Sequence, residues 1–150
     1  MFTACIILFG SLAASLVASH SGRYLMAAPS ISNNIPRPCM DSGLKLQSAC
    51  GPDIQKAGKV FNFSTSSTAA SVPIDQAKLD AYLADPANKA SSGCCAASND
   101  FNSKQCNCNA AILSTVKSFT NNDLSVYAKV AGAIAKDCGF TLEYGSNCPA

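Results

Sequence analysis

The stretch GCCAASNDFNSKQCNCNA, residues 93–110, decides how the chain reads. Cys94 and Cys95 stand side by side, and further on Cys106 and Cys108 flank a single Asn107. On a helix each residue advances by about 100°. Cys94 and Cys95 then point about 100° apart, and Cys106 and Cys108 about 200° apart, so neither close pair readily bridges itself. Each pair staples one helix to two different neighbours. The pattern predicts several helices tied into one bundle.

The N-terminus says where such staples form. Residues 4–18, ACIILFGSLAASLVA, are an apolar run. It is shorter than the about 20 residues a membrane span needs. Val17-Ala18-Ser19 follows as a cleavage site, so residues 1–19 are expected to be a secretory signal peptide. The C-terminal YGSNCPA has no apolar tail for a lipid anchor. Cys5 leaves with the signal. Cys39, Cys50, Cys94, Cys95, Cys106, Cys108, Cys138 and Cys148 remain, an even set that reads as a disulfide framework whose connectivity spacing alone leaves open. Closely spaced thiols also suit zinc or copper, but no C-x-x-C occurs and the one His, His20, precedes the cysteines. No metal and no cofactor are expected.

Charge and chemistry exclude other classes. The 150 residues carry a net charge of +2, from 11 Lys and Arg against 9 Asp and Glu, with no basic run. That is too mild for a nucleic-acid binder. With no His after residue 20, every later thiol committed to a bridge and no suggestive pair of acids, an enzyme is not expected.

Residues 20–38, HSGRYLMAAPSISNNIPRP, hold three prolines and no apolar period, as a flexible leader or pro-segment would. The domain is expected over 39–150. Residues 40–49 form a short helix candidate that Gly51-Pro52 breaks, and Pro52 opens another with Ile54, Ala57 and Phe61 on one face. Residues 62–71 are a Ser/Thr-rich loop, and Asn62-Phe63-Ser64 makes Asn62 a glycosylation candidate. In PIDQAKLDAYL, Asp75 caps a helix, Ile74 and Leu79 staple it, and Leu79, Tyr82 and Leu83 form its buried stripe. Cys108, Ile112, Val116 and Phe119 recur at helical spacing through 106–119. So do Tyr127, Val130, Ala131, Ile134, Ala135 and Cys138, capped by Asn121 or Asn122 and stopped by Gly139. No strand alternation occurs, and the class is all-α.

The order C…C…CC…CxC…C…C resembles the eight-cysteine motif of plant non-specific lipid transfer proteins, whose superfamily includes amylase/trypsin inhibitors and seed storage albumins. CCAASNDFNSKQCNCNAAIL is similar to that family's CC…CxC segment, and DCGFTLEYGSNCP to its C-terminal stretch, where the last two cysteines flank a Tyr. The chain departs from the pattern in long gaps, 51–93 and 109–137. The ten residues between Cys95 and Cys106 resemble the compact second type of transfer protein, whereas a polar residue inside CxC resembles the first. The family's Arg before CxC is absent, and Lys104 is the nearest cation.

The resemblance implies a small disulfide-stapled bundle of about four helices around an apolar cavity, with an extra helix and loop inserted over 51–93. It implies Cys50–Cys94 and Cys95–Cys138 in both types. With Asn107 polar as in the first type, it implies Cys39–Cys108 and Cys106–Cys148; the exchanged alternative is Cys39–Cys106 with Cys108–Cys148. By period alone, Leu79, Leu83, Ile112, Val116, Phe119, Val130, Ile134 and Leu142 pack on one another. The resemblance implies instead that they line the cavity, with Tyr144 at its mouth and Lys104 meeting a head group. Four disulfides, roughly 2–4 kcal/mol each, can hold such a cavity unfilled.

The function implied is a secreted, extracellular lipid-binding or lipid-transfer protein, with the cell wall one setting. It would be a monomer in transient membrane contact, taking fatty acids, lysophospholipids or similar lipids at about 0.8 kcal/mol per buried CH₂. Methylenes look alike, so promiscuity follows. The alternative on the same scaffold is a protease or amylase inhibitor, with Lys56, Lys59 or Lys104 as bait. Seed storage fits less well, since Gln occurs four times and Glu once.

Overall fold

The computed structural model describes residues 35–62, 74–120 and 123–149. The expected signal peptide, residues 20–34 of the leader and nearly all of the Ser/Thr-rich loop lie outside them. The described residues form six α-helices and three 3₁₀ turns, with no strand among them. The helices are α1 (Arg37–Ala49), α2 (Gly51–Phe61), α3 (Gln76–Ala84), α4 (Ser92–Ser103), α5 (Ala110–Phe119) and α6 (Ser125–Cys138). Among the described residues no helix is long and apolar enough to cross a membrane.

Local chemistry sets most boundaries. α1 and α2 each carry Pro in the first turn, where a missing N–H costs no hydrogen bond. Asp75 caps α3 by accepting from the Lys78 N–H at 3.0 Å. The Ser91 hydroxyl accepts from the Cys94 N–H at 3.3 Å and caps α4. α6 stops where Gly139 turns left-handed at φ 72°, and the Phe140 N–H reaches back to the Ala135 carbonyl at 3.0 Å.

The structure corrects several boundaries. α1 begins at Arg37, ahead of the helix start expected at Met40. Residues 51–93 hold the two helices read from Pro52 and from Asp75, and the 3₁₀ turn Pro86–Asn88 is added to them. The helical spacing through 106–119 is broken. Gln105 adopts φ 57°, Cys106–Cys108 forms a 3₁₀ turn, and Asn109 accepts from the Ala111 and Ile112 N–H groups at 3.0 and 3.1 Å to start α5 afresh. At about three residues per turn, Cys106 and Cys108 still diverge widely.

The segment over 51–93 belongs to the core. Leu79 and Tyr82 of α3 are 4% and 8% exposed. The Tyr82 ring meets Phe61 edge-on at 5.3 Å, and the Lys78 ammonium lies 5.6 Å over that Phe61 ring while donating to the Val60 carbonyl at 2.6 Å. Burial, then the nearby Asp53 and Asp85 carboxylates, push the Tyr82 hydroxyl pKa up. From α6, Lys129 reaches Asp80 at 2.8 Å and Gln76 at 3.2 Å. α3 therefore bridges α2 and α6.

Four disulfides close the bundle: Cys39–Cys106, Cys50–Cys94, Cys95–Cys138 and Cys108–Cys148. They are the chemistry of an oxidising, extracellular type of compartment. The pairing implied from a polar CxC centre, Cys39–Cys108 with Cys106–Cys148, is replaced by its exchanged alternative. The physical reason is Asn107. It is polar yet only 6% exposed, because the Tyr127 hydroxyl donates to its Oδ1 and its amide donates to Asn102 Oδ1 at 3.2 Å. Polarity does not force a side chain outward once partners satisfy it. With Asn107 turned inward, Cys106 is fully buried toward α1, and half-buried Cys108 takes the C-terminal Cys148.

Candidate functional site: a pocket beside the last helix

α6 is apolar on more than one face. One face meets a closed cluster in which Leu79, Ile112 and Val116 pack with Tyr127 and Val130. Beside it lies a partly open pocket of about 80 Å³, which shares Tyr127 and Val130 with that cluster. Tyr127, Val130, Ala131 and Ile134 of α6 form one wall. Leu46 and Gln47 of α1, Cys50, Ile54 of α2, and Ser98 and Phe101 of α4 face them. Asn107, Phe140 and Leu142 complete the lining.

Burial separates floor from rim. Cys50, Ile54, Phe101, Asn107, Tyr127 and Val130 are buried, whereas Leu46, Gln47, Ser98, Ala131, Ile134, Phe140 and Leu142 are half-buried. The Asn102 side chain grips the C-terminal wall by its backbone. The Asn102 amide donates to the Thr141 carbonyl at 2.9 Å, and its Oδ1 accepts from the Glu143 N–H at 2.8 Å. The same oxygen accepts from Asn107, so one buried network ties the CxC turn, α4, α6 and the C-terminal segment together.

The lining contains no Asp, Glu, Lys, Arg or His. It offers apolar surface, with hydrogen-bonding groups at a few points. Such a lining is the ordinary make-up of a ligand pocket.

The residues expected to line a cavity fall into two sets. Val130, Ile134 and Leu142 border the pocket. Leu79, Ile112 and Val116 do not: they are 4%, 4% and 0% exposed inside the closed cluster, and Leu83 packs on its edge. Leu79 from α3 and Ile112 and Val116 from α5 gather there in one cluster with Tyr127 and Val130 of α6. The Phe119 side chain lies outside the described residues. Tyr144 is half-buried, its ring 5.7 Å from Tyr127, and is not part of the pocket lining.

Lys104, expected at a head group, is engaged elsewhere. Its ammonium lies 2.9 Å from Asp100 and 2.9 Å from the Ser42 hydroxyl, latching α4 to α1. The Ser42 hydroxyl donates to the same carboxylate. That bond first, then Lys104, hold the Asp100 pKa below its usual value. Lys56 and Lys59, expected as inhibitor bait, lie in the helix α2, and Lys56 donates to the Ala87 carbonyl. Asn62 is exposed at the end of α2 with φ 55°.

The sequence reading missed Leu46, Gln47, Ser98, Phe101 and Phe140. One signal was present: Cys94, Ala97 and Phe101 recur at i, i+3, i+7, and all three are buried. Compared with family models, curated proteins and solved structures, the chain matches none of them.

Proposed function

We propose that the protein is a secreted lipid-binding protein, akin to the plant non-specific lipid transfer proteins its cysteine order resembles. It takes the acyl part of a fatty acid, a lysophospholipid or a similar single-chain lipid against the α6 face. The supporting observation is the apolar pocket beside Ile134 and Leu142, bordered by a half-buried rim and braced at Cys50 by the Cys50–Cys94 bridge. The protein acts as an extracellular monomer in transient contact with membranes, the cell wall being one setting, and carries a glycan at Asn62.

Size sets the mode of uptake. The pocket holds about 80 Å³, and roughly 150 Å³ is what a benzene-sized guest takes. A long chain therefore enters only as the walls part. The wall best suited to move is residues 140–144, which has no regular secondary structure and hangs on Asn102. Each methylene then buried contributes about 0.8 kcal/mol before ordering costs.

The inhibitor reading has less support. A protease takes its substrate in extended form, and Lys56 and Lys59 are helical while Lys104 is ion-paired. A fluorescent fatty-acid titration on fully oxidised protein tests the choice. Saturable one-to-one binding at micromolar lipid is expected. Absence of binding, together with inhibition of a trypsin-like protease or an amylase, would replace the lipid reading with the inhibitor one.

A further inference from the structure

A lipid pocket can read its guest's head group through charge or through neutral hydrogen bonds, and this one has material for the second alone. No charged residue lines it. The nearest cation suggested by sequence, Lys104, is held by Asp100 and Ser42. Two rim residues are polar and neutral, Gln47 of α1 and Ser98 of α4. Both are half-buried, and among the described residues neither side chain has a hydrogen-bond partner in the protein. Between them they offer an amide donor, an amide acceptor and a hydroxyl on the wall that faces α6.

Resting on the lipid-binding reading above, we propose that the pocket selects single-chain lipids with an uncharged, hydrogen-bonding head, such as an alcohol or a glycerol ester, over those with a carboxylate, phosphate or ammonium head. The reason is a difference of costs. A neutral hydroxyl drawn to the rim exchanges water for Gln47 and Ser98. An ion drawn to the same place loses hydration beside apolar walls and gains no counter-charge. Selection by head group then arises although the chain-binding surface is indifferent to chain type.

Calorimetric titration with three probes of one chain length, dodecanol, dodecanoate and dodecyltrimethylammonium, at neutral pH and below micelle formation, tests this. Dodecanol is expected to bind at least about tenfold more tightly than either ion, the rim leaving an ion partly hydrated. Equal or tighter binding of either ion overturns the head-group inference and leaves lipid binding intact. Failure of all three to bind overturns lipid binding and this inference with it. Gln47→Glu should move the order of the two ions toward the ammonium. Gln47→Leu, which adds no charge, should shrink the dodecanol advantage several-fold. Thermal melts establish that both variants fold, and an unchanged order in both contradicts the assignment of Gln47.

Discussion

Val116 and Ile134 carry the same message in the sequence, an apolar residue in a helical stripe, and meet different fates. Val116 is 0% exposed in a closed cluster with Leu79, Ile112 and Val130. Ile134 is half-buried beside a pocket. Protein interiors ordinarily close to crystal-like density, and the Val116 side does so because α3 and α5 bring large side chains onto it. The Ile134 side faces α4 and a C-terminal segment that Asn102 holds by its backbone. A helical stripe says that a surface needs cover; it does not say how completely the cover fits.

That contrast can be broken most directly by truncation. Leu79→Ala, in the closed cluster, should cost about 2–5 kcal/mol in urea unfolding. Leu142→Ala, beside the pocket, should cost less than half of that and alter lipid binding instead. Equal losses at the two sites would erase the distinction between packed and open faces.

The disulfides divide along a similar line. Cys39–Cys106 and Cys50–Cys94 are buried, with no cysteine more than 3% exposed. All four cysteines of Cys95–Cys138 and Cys108–Cys148 are half-buried. Brief reduction with a phosphine, followed by alkylation and peptide mass mapping, should open the half-buried pair of bridges first. Replacing both Cys95 and Cys138 by Ala should cost roughly 2–4 kcal/mol. Reduction of Cys50–Cys94 ahead of the others would contradict this ordering.

Between the two faces lies the network of Tyr127, Asn107 and Asn102. Tyr127→Phe removes the hydroxyl that satisfies Asn107, at a cost of about 1–3 kcal/mol for the buried acceptor left behind. It should also let a fraction of molecules refold with Cys39–Cys108 and Cys106–Cys148, readable after cleavage between the two cysteines of CxC. Wild-type pairing retained in every molecule would show that the network does not set it.

The smallest effect belongs to the surface latch. Asp100 has its pKa lowered from 3.8, first by the Ser42 hydroxyl and then by Lys104. A depressed folded pKa stabilises the protein above the unfolded value, and that contribution fades as pH falls through the folded value. Acid unfolding of the wild type and of Asp100→Asn should therefore differ near neutrality and converge as pH drops below about 4. The gap should be small, because the Asp100 side chain is 36% exposed and solvent screens the pair. A gap that widens on acidification would have the wrong sign.

Much of this was legible from residues. Asp75 and Gly139 announced helix ends through their own chemistry, and the 125–138 stripe announced α6. The break at Cys106–Cys108 was hidden, because Cys108, Ile112 and Val116 keep helical spacing across it while Gln105 and Asn109 redirect the backbone. The disulfide choice was hidden too, since Asn107 owes its burial to Tyr127, twenty positions away. The pocket was half hidden for the same reason. Phe140 and Leu142 belong to no regular element, and Leu46 and Phe101 meet them only once α1 and α4 are packed.

Filling the pocket tests the central claim, that one face of α6 is open to take an acyl chain. Ala131 is half-buried in its wall. Native mass spectrometry of oxidised wild type and Ala131→Trp, each with dodecanol, should show a one-to-one complex for the wild type. It should show none for the variant, with the melting temperature held or raised. No complex with the wild type, or an undiminished one with Ala131→Trp, would contradict the account.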